Sequence, residues 1–227
     1  MLFDLDGTLL DHDGASRQGL IGWLTDQQLA TEEQGLDRLV GLWNDIAERH
    51  FPAFRAQEIT FQEQRRRRLR EFLPHLGLRA DHLSEAALDR TFEDYLEHYE
   101  AAWRAFDDVA PCLNSLPHVR LAVLSNGDQM QQEDKLRRTH LDQYFEGVFA
   151  SSSLGAAKPG PEAFTLACDR LAVDPATVAY VGDRLDIDAQ AATAAGLRGV
   201  WLDRRALNSN EYTPTIKSLT EVLGVLG

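Results

Sequence analysis

Asp4 and Asp6 stand one residue apart at the end of a short apolar run, Met1-Leu2-Phe3. Residues at i and i+2 of a strand start on the same side. Two carboxylates that close repel unless a cation or a shared proton intervenes. Gly7-Thr8 then supplies a turn. A second polar group, Leu124-Ser125-Asn126-Gly127, ends the apolar run 119–125. A third, Val181-Gly182-Asp183-Arg184-Leu185-Asp186-Ile187-Asp188, ends the run 177–182. In open parallel sheets ligands bind at the carboxyl ends of the strands. Oxygen donors collected on that edge suit a hard cation such as Mg2+, which takes one or two carboxylates together with phosphate. Taken singly, each motif has an ordinary explanation. Asp-Gly marks turns, and Asp183 or Asp188 would cap a following helix. Lys158 is the other candidate; a lysine near a helix start is commonly solvated, but this one precedes Pro159-Gly160-Pro161. That all four occur in order, at strand ends, argues against coincidence.

The elements that must carry these residues follow from periodicity. Residues 2–5 read as a first strand. Between about Ser16 and Trp103 no strand pattern appears, and four helices are expected over 16–29, 33–50, 60–73 and 82–104, with Pro52 and Pro74 ending the second and third. Leu36, Leu39, Val40 and Trp43 recur at helical spacing. Beyond Trp103 strands alternate with helices: strands at 119–125, 147–150, 177–182 and 199–202, and helices at 128–139, 161–172 and 187–195. Such alternation predicts a parallel, doubly wound sheet. The helical block interrupts it just after the first strand, which marks an insert.

On these residues the chain resembles the haloacid dehalogenase-like hydrolase superfamily. Phe3-Asp4-Leu5-Asp6-Gly7-Thr8-Leu9 is similar to motif I, Leu124-Ser125-Asn126-Gly127 to motif II, Lys158-Pro159 to the motif III lysine, and Gly182-Asp183 with Asp188 to motif IV. The resemblance covers nearly the whole chain. It implies an α/β fold: a doubly wound, Rossmann-like core over 1–13 and 106–227, carrying a helical-bundle cap of the C1 type over 14–105. It also implies roles. Asp4 is the expected nucleophile, forming an aspartyl-phosphate. Asp6 is the expected acid for the leaving alcohol and base for water. Asp4, Asp183 and the Asp6 carbonyl are expected to hold Mg2+. Ser125, Asn126 and Lys158 are expected to bind the phosphate, and Asp188 to orient Lys158 or a metal-bound water. The expected activity is Mg2+-dependent hydrolysis of a small phosphorylated metabolite, a nucleoside monophosphate or sugar phosphate. The stretch around Lys135-Leu136 looks like the group containing pyrimidine nucleotidases and N-acylneuraminate 9-phosphatases.

Three rivals remain open at this stage. A 2-haloacid dehalogenase shares the aspartate and Ser-Asn-Gly but needs neither Mg2+ nor an acid at position 6. A phosphomutase shares all four motifs. A non-catalytic binding module would tolerate loss of a motif residue, and none is lost. Composition narrows the partners. The chain has 227 residues, 44% hydrophobic and 26% charged, an ordinary globular balance. With 36 acids against 23 bases the formal charge is -13, which repels nucleic-acid polymers and anionic membranes at long range. No apolar run is long enough to cross a bilayer, so a cytoplasmic monomer or homodimer is expected. Cys112 and Cys168 lack metal-ligand spacing and read as reduced thiols near the core. In the run Arg65-Arg66-Arg67-Arg68, a helical wheel places Arg65 near the centre of the apolar face set by Phe61, Leu69, Phe72 and Leu73, and Arg68 at its edge. Arg66, Arg67 and Arg70 face solvent. Arg65 then needs an anion: either a cap acid such as Glu48 or Asp94, or the substrate.

Overall fold

A computed structural model describes residues 1–29, 33–56, 58–206 and 213–225. In chain order the elements are β1 (Leu2–Phe3), α1 (His12–Asp26), α2 (Glu33–Arg55), α3 (Phe61–Phe72), α4 (Glu85–Ala101), α5 (Val109–Asn114), β2 (Ala122–Ser125), α6 (Gln129–Arg138), β3 (Val148–Ala150), α7 (Ser151–Leu154), α8 (Pro161–Leu171), β4 (Ala179–Gly182), α9 (Ala191–Ala194), β5 (Arg198–Leu202) and β6 (Thr215–Ile216). They fall into two compact units. One comprises Met1–Asp11 and Arg104–Gly227, the other His12–Trp103.

The first unit is built on a six-stranded sheet, ordered β3-β2-β1-β4-β5-β6, with every pair parallel. The chain winds outward from β1 to β3, returns to β4 on the other side of β1, and winds outward again. The strand order therefore reverses at β1, the place where open α/β sheets bind ligands. Register fixes what gathers there. Phe3 lies level with Val123 and Val181, so Asp4 and Ser125 emerge together at the carboxyl edge beside Gly182. Both faces of the sheet are covered, as a parallel sheet requires. Phe3, Val123, Val181 and Val200 pack with Val109, Leu113, Leu136 and Leu219 on one face. Leu2, Ala122, Leu124 and Tyr180 pack with Phe164, Ala167 and Cys168 on the other. Cys112 and Cys168 are both buried and free. Each fully buried large side chain stabilises the unit by roughly 1.5–3 kcal/mol.

The second unit contains helices and turns but no strand among its described residues. Trp23, Trp43, Phe72, Phe92, Tyr95 and Tyr99 fill its centre. Thr60 caps α3 by accepting from the Glu63 amide, and Ser84 caps α4 by accepting from Ala87. No helix among the described residues is long and apolar enough to cross a membrane.

Three local expectations are corrected. Pro52 does not end α2, which runs on to Arg55; so close to the helix end, the missing amide forfeits one bond and little else. Pro74 does end α3, which stops at Phe72, and lies in a 3-10 turn, Leu73–Leu76. The strand expected over 119–125 begins only at Ala122, because Val119 closes a turn by donating to the Leu116 carbonyl. Residues 187–195 form a wide π-type turn, Leu185–Gln190, followed by α9. The short α5, α7 and β6 escaped the periodicity reading.

Candidate active site

The loop after β1 is drawn tight. The Leu9 and Leu10 amides both donate to the Leu5 carbonyl, and Gly7 donates to Leu10. Gly7 sits at φ +88, and a Cβ there would lie 2.5 Å from Asp183 Oδ2. Only glycine holds that backbone without strain, and only glycine lets the Asp183 carboxylate reach the loop. Gly182 serves the same end: its missing Cβ would stand 2.4 Å from Asp188 Cγ. Arg204 ties the loop from outside, donating to the Thr8 carbonyl at 2.7 Å while paired with Asp108.

Lys158 is the hub of the site. Its Nζ donates to Asp4 Oδ1, Asp188 Oδ1 and the Tyr180 hydroxyl, each at 2.6 Å. These contacts use all three ammonium donors. Burial works against the charge, but the Asp188 and Asp4 carboxylates outweigh it and push the lysine above its ordinary pKa. Asp188 is held in turn by the Arg184 amide at 3.0 Å. Thr8 Oγ1 donates to Asp4 Oδ2 at 3.1 Å. Asn126 clamps the main chain of Lys158, with Oδ1 accepting from its amide at 2.9 Å and Nδ2 donating to its carbonyl at 2.8 Å. Both polar atoms of Asn126, expected to meet phosphate, are thus spent on positioning Lys158.

The carboxylates are poised for a cation. Asp4, Asp183 and Asp188 each offer an oxygen within 4.8 Å of the others. Burial pushes the Asp4 carboxyl up to about 7 against the pull of Lys158, with Asp188 and Asp6 adding to the rise. Burial, then Asp4 and Asp188, raise Asp183 to about 8. Two facing carboxyls that resist ionisation are what a divalent cation would relieve. Asp188 accepts from Lys158, the Tyr180 hydroxyl and the Arg184 amide, more than Asp4 or Asp183 accepts, which leaves those two as the better side-chain donors.

Asp4, Asp6, Ser125, Lys158, Asp183 and Asp188 therefore meet at one sheet edge. Sequence reasoning passed over Tyr180, Thr8, Gln132 and Lys135. Tyr180 lay hidden inside an apolar strand, and Lys135 inside a polar helix. Lys135 Nζ lies 2.7 and 2.6 Å from the two Asp6 carboxylate oxygens. The signal available was the i,i+3 spacing of Gln132 and Lys135 on the helix following Ser125.

The arginine run needs correcting as well. Arg68, not Arg65, is the deeply buried member; its guanidinium carbon lies 4.2 Å over the Trp43 ring. Arg65 is half-buried and lies 4.3 Å over Phe61 and 5.3 Å from the Phe92 centroid. Helical side chains lean towards the N-terminus, so Arg65 runs back over the first turn of α3. Arg66 does not face solvent: Asp89 receives Nε and Nη2 at 2.6 Å, and Glu85 receives Nη1 at 2.6 Å. A wheel drawn for α3 alone holds no information about α4, which brings those acids. Arg67 and Arg70 are exposed and share Glu63.

Residues 1–196 match the haloacid dehalogenase-like hydrolase family, and the chain belongs to it. It is 30% identical to mouse (Mus musculus) N-acylneuraminate-9-phosphatase over 214 residues, covering 90% of this chain and 82% of that protein. The human enzyme of the same name is 29% identical over 94% of this chain and 86% of its own length. Among solved structures, the Bacillus subtilis HAD-hydrolase YfnB, bound to magnesium, superposes with a TM-score of 0.82 at 24% identity, covering 100% of this chain and 97% of that one. A 2-haloacid dehalogenase from Pseudomonas syringae pv. Tomato DC3000 gives a TM-score of 0.68 at 28% identity, covering 99% and 96%.

Proposed function

We propose that the chain is a Mg2+-dependent phosphatase acting on a small phosphorylated metabolite through an aspartyl-phosphate on Asp4. The observation that carries this is the meeting of Asp4, Asp183 and Asp188, each with an oxygen within 4.8 Å of the others, around Lys158 at the edge where the strand order reverses, with Asp6 two residues on from Asp4. Attack on a carbon–halogen bond has no use for Asp6 or Asp183, whereas phosphoryl transfer uses both.

Asp4 supplies the attacking oxygen, and Thr8 and Lys158 hold its carboxylate in one orientation. The Lys158 ammonium, fixed by Asp188 and Tyr180 with its three donors taken, would offset charge on the transferring group through its field. Asp6 gives its proton to the leaving oxygen as the P–O bond breaks. As a carboxylate it then takes a proton from water, whose oxygen bonds to phosphorus as the bond to Asp4 breaks. The Ser125 hydroxyl offers a donor to a phosphate oxygen. Bound by Asp4, Asp183 and the Asp6 carbonyl, Mg2+ would screen the carboxylates from the phosphate and polarise the phosphoryl group.

Relatives named N-acylneuraminate-9-phosphatase favour a sugar-acid phosphate over a nucleoside monophosphate as the first substrate to assay. The dehalogenase reading stays second, on the strength of the Pseudomonas syringae likeness. Phosphate release from p-nitrophenyl phosphate and N-acylneuraminate 9-phosphate, assayed with Mg2+ and with EDTA beside 2-haloacid controls, separates the two. Halide release that survives EDTA, without phosphate release, would replace our reading with the second.

A further inference from the structure

Asp6 has a partner of its own on α6. Asp128 starts that helix by accepting from the Gln131 amide at 3.1 Å, and Gln132 and Lys135 then share one face. Both are only 2% exposed. Lys135 Nζ binds both Asp6 carboxylate oxygens, at 2.7 and 2.6 Å. Gln132 Nε2 donates to Ser125 Oγ at 3.1 Å and lies 3.4 Å from Asp6 Oδ2. Space for that amide exists because residue 127 is glycine; a Cβ there would meet Gln132 Nε2 at 2.5 Å. A lysine buried this deeply is costly unless its charge is paired. Two hydrogen bonds to one carboxylate also restrict its torsions.

The geometry points to Lys135 as a positioning residue for Asp6, with Gln132 linking Asp6 to the Ser125 hydroxyl. The inference rests on the phosphatase reading, since only there does Asp6 move protons. Once Asp6 has protonated the leaving oxygen it is a carboxylate beside Lys135. It must then hold its aim until it takes a proton from the attacking water. Lys135 keeps it in place between the two transfers. The second half-reaction depends on that most, because its nucleophile is a loose water rather than a bound ester.

The test uses Lys135→Met and Lys135→Arg in the full chain with Mg2+, on p-nitrophenyl phosphate and on a simple alkyl phosphate. Misplacing a catalytic group by about 1 Å costs on the order of a hundredfold. On the alkyl phosphate, Lys135→Met should therefore lose roughly that factor in kcat with little change in KM; on p-nitrophenyl phosphate kcat and KM should fall together and leave kcat/KM nearly unchanged. On p-nitrophenyl phosphate, whose leaving group needs no acid, the burst of p-nitrophenol should persist and acid-quenched phospho-enzyme should accumulate. On the alkyl ester neither should appear. Lys135→Arg should recover at least tenfold of the loss. Three results would overturn the role: wild-type kcat in Lys135→Met, equal loss on both substrates with no phospho-enzyme, or no recovery by arginine. Should Lys135→Met lose its native melting transition, the same comparison on Lys135→Gln decides. Wild-type enzyme that releases no phosphate would remove the phosphatase reading and this inference together; an active wild type beside an unaffected Lys135→Met removes the inference alone.

Discussion

Lys158 donates to Asp4, Asp188 and Tyr180 at once, so its ammonium is fixed before any substrate arrives. The same closeness of charge makes Asp4→Asn informative. It removes the nucleophile yet relieves repulsion with Asp183, so turnover should fall at least a thousandfold while the melting temperature stays level or rises. Activity within tenfold of wild type would exclude the nucleophile. A second prediction concerns the metal-free protein. Without a cation, burial and their mutual repulsion hold the Asp4 and Asp183 carboxyls of the folded chain well above the ordinary value of 3.8. Between the ordinary value and the raised ones the folded chain holds protons that the unfolded chain has released. The contribution of this pair to stability therefore falls as pH rises through that window. Mg2+ competes for the same oxygens and stabilises by mass action. Its effect on the melting temperature should be small near pH 5 and grow towards pH 8. An equal Mg2+ shift at both pH values would contradict the assignment of Asp4 and Asp183 as its donors.

Elements decide which of these contacts were readable beforehand. The loop after β1 depends on Gly7 at φ +88, against Asp183. Gly7→Ala should cost ~1–2 kcal/mol from backbone conformation alone, and more from the clash, while weakening Mg2+ binding by calorimetry. Unchanged Mg2+ affinity would show that Asp183 does not need the space. The residues closing this site were legible because the chemistry is local in sequence: Asp4 with Asp6, Ser125 with Asn126, Asp183 with Asp188, each at the end of an apolar strand. What escaped notice comes from packing between distant segments. Lys135 meets Asp6 across 129 positions and Tyr180 meets Lys158 across 22, and no periodicity encodes such pairs. Arg66 found its acids on α4 for the same reason. At Arg65, packed on two rings, Arg65→Ala should raise KM for the physiological substrate and spare p-nitrophenyl phosphate if the residue contacts substrate. Equal losses on both would leave it a packing role. Short elements such as α5 and β6 fall below the length at which a period can be recognised.

At the scale of the whole chain, the break in strand–helix alternation predicts an insert over 14–105, and the chain divides into one compact unit over His12–Trp103 and another formed by the rest. The formal charge of -13 sets a field that opposes an approaching phosphate dianion. Salt should screen it, so kcat/KM should rise modestly between about 20 and 200 mM NaCl at fixed free Mg2+. A steep fall would mean that cationic groups at the crevice govern the encounter. The central claim is that Asp4 is phosphorylated in turnover, and the direct measurement is intact-protein and peptide mass spectrometry after rapid acid quench with Mg2+ and p-nitrophenyl phosphate. We predict a single phosphoryl group on the peptide carrying Asp4, enriched in Asp6→Asn because hydrolysis of the intermediate slows, and missing in Asp4→Asn or with EDTA. A phosphoryl group on any other residue, or turnover with none on Asp4 in either protein, would contradict the account.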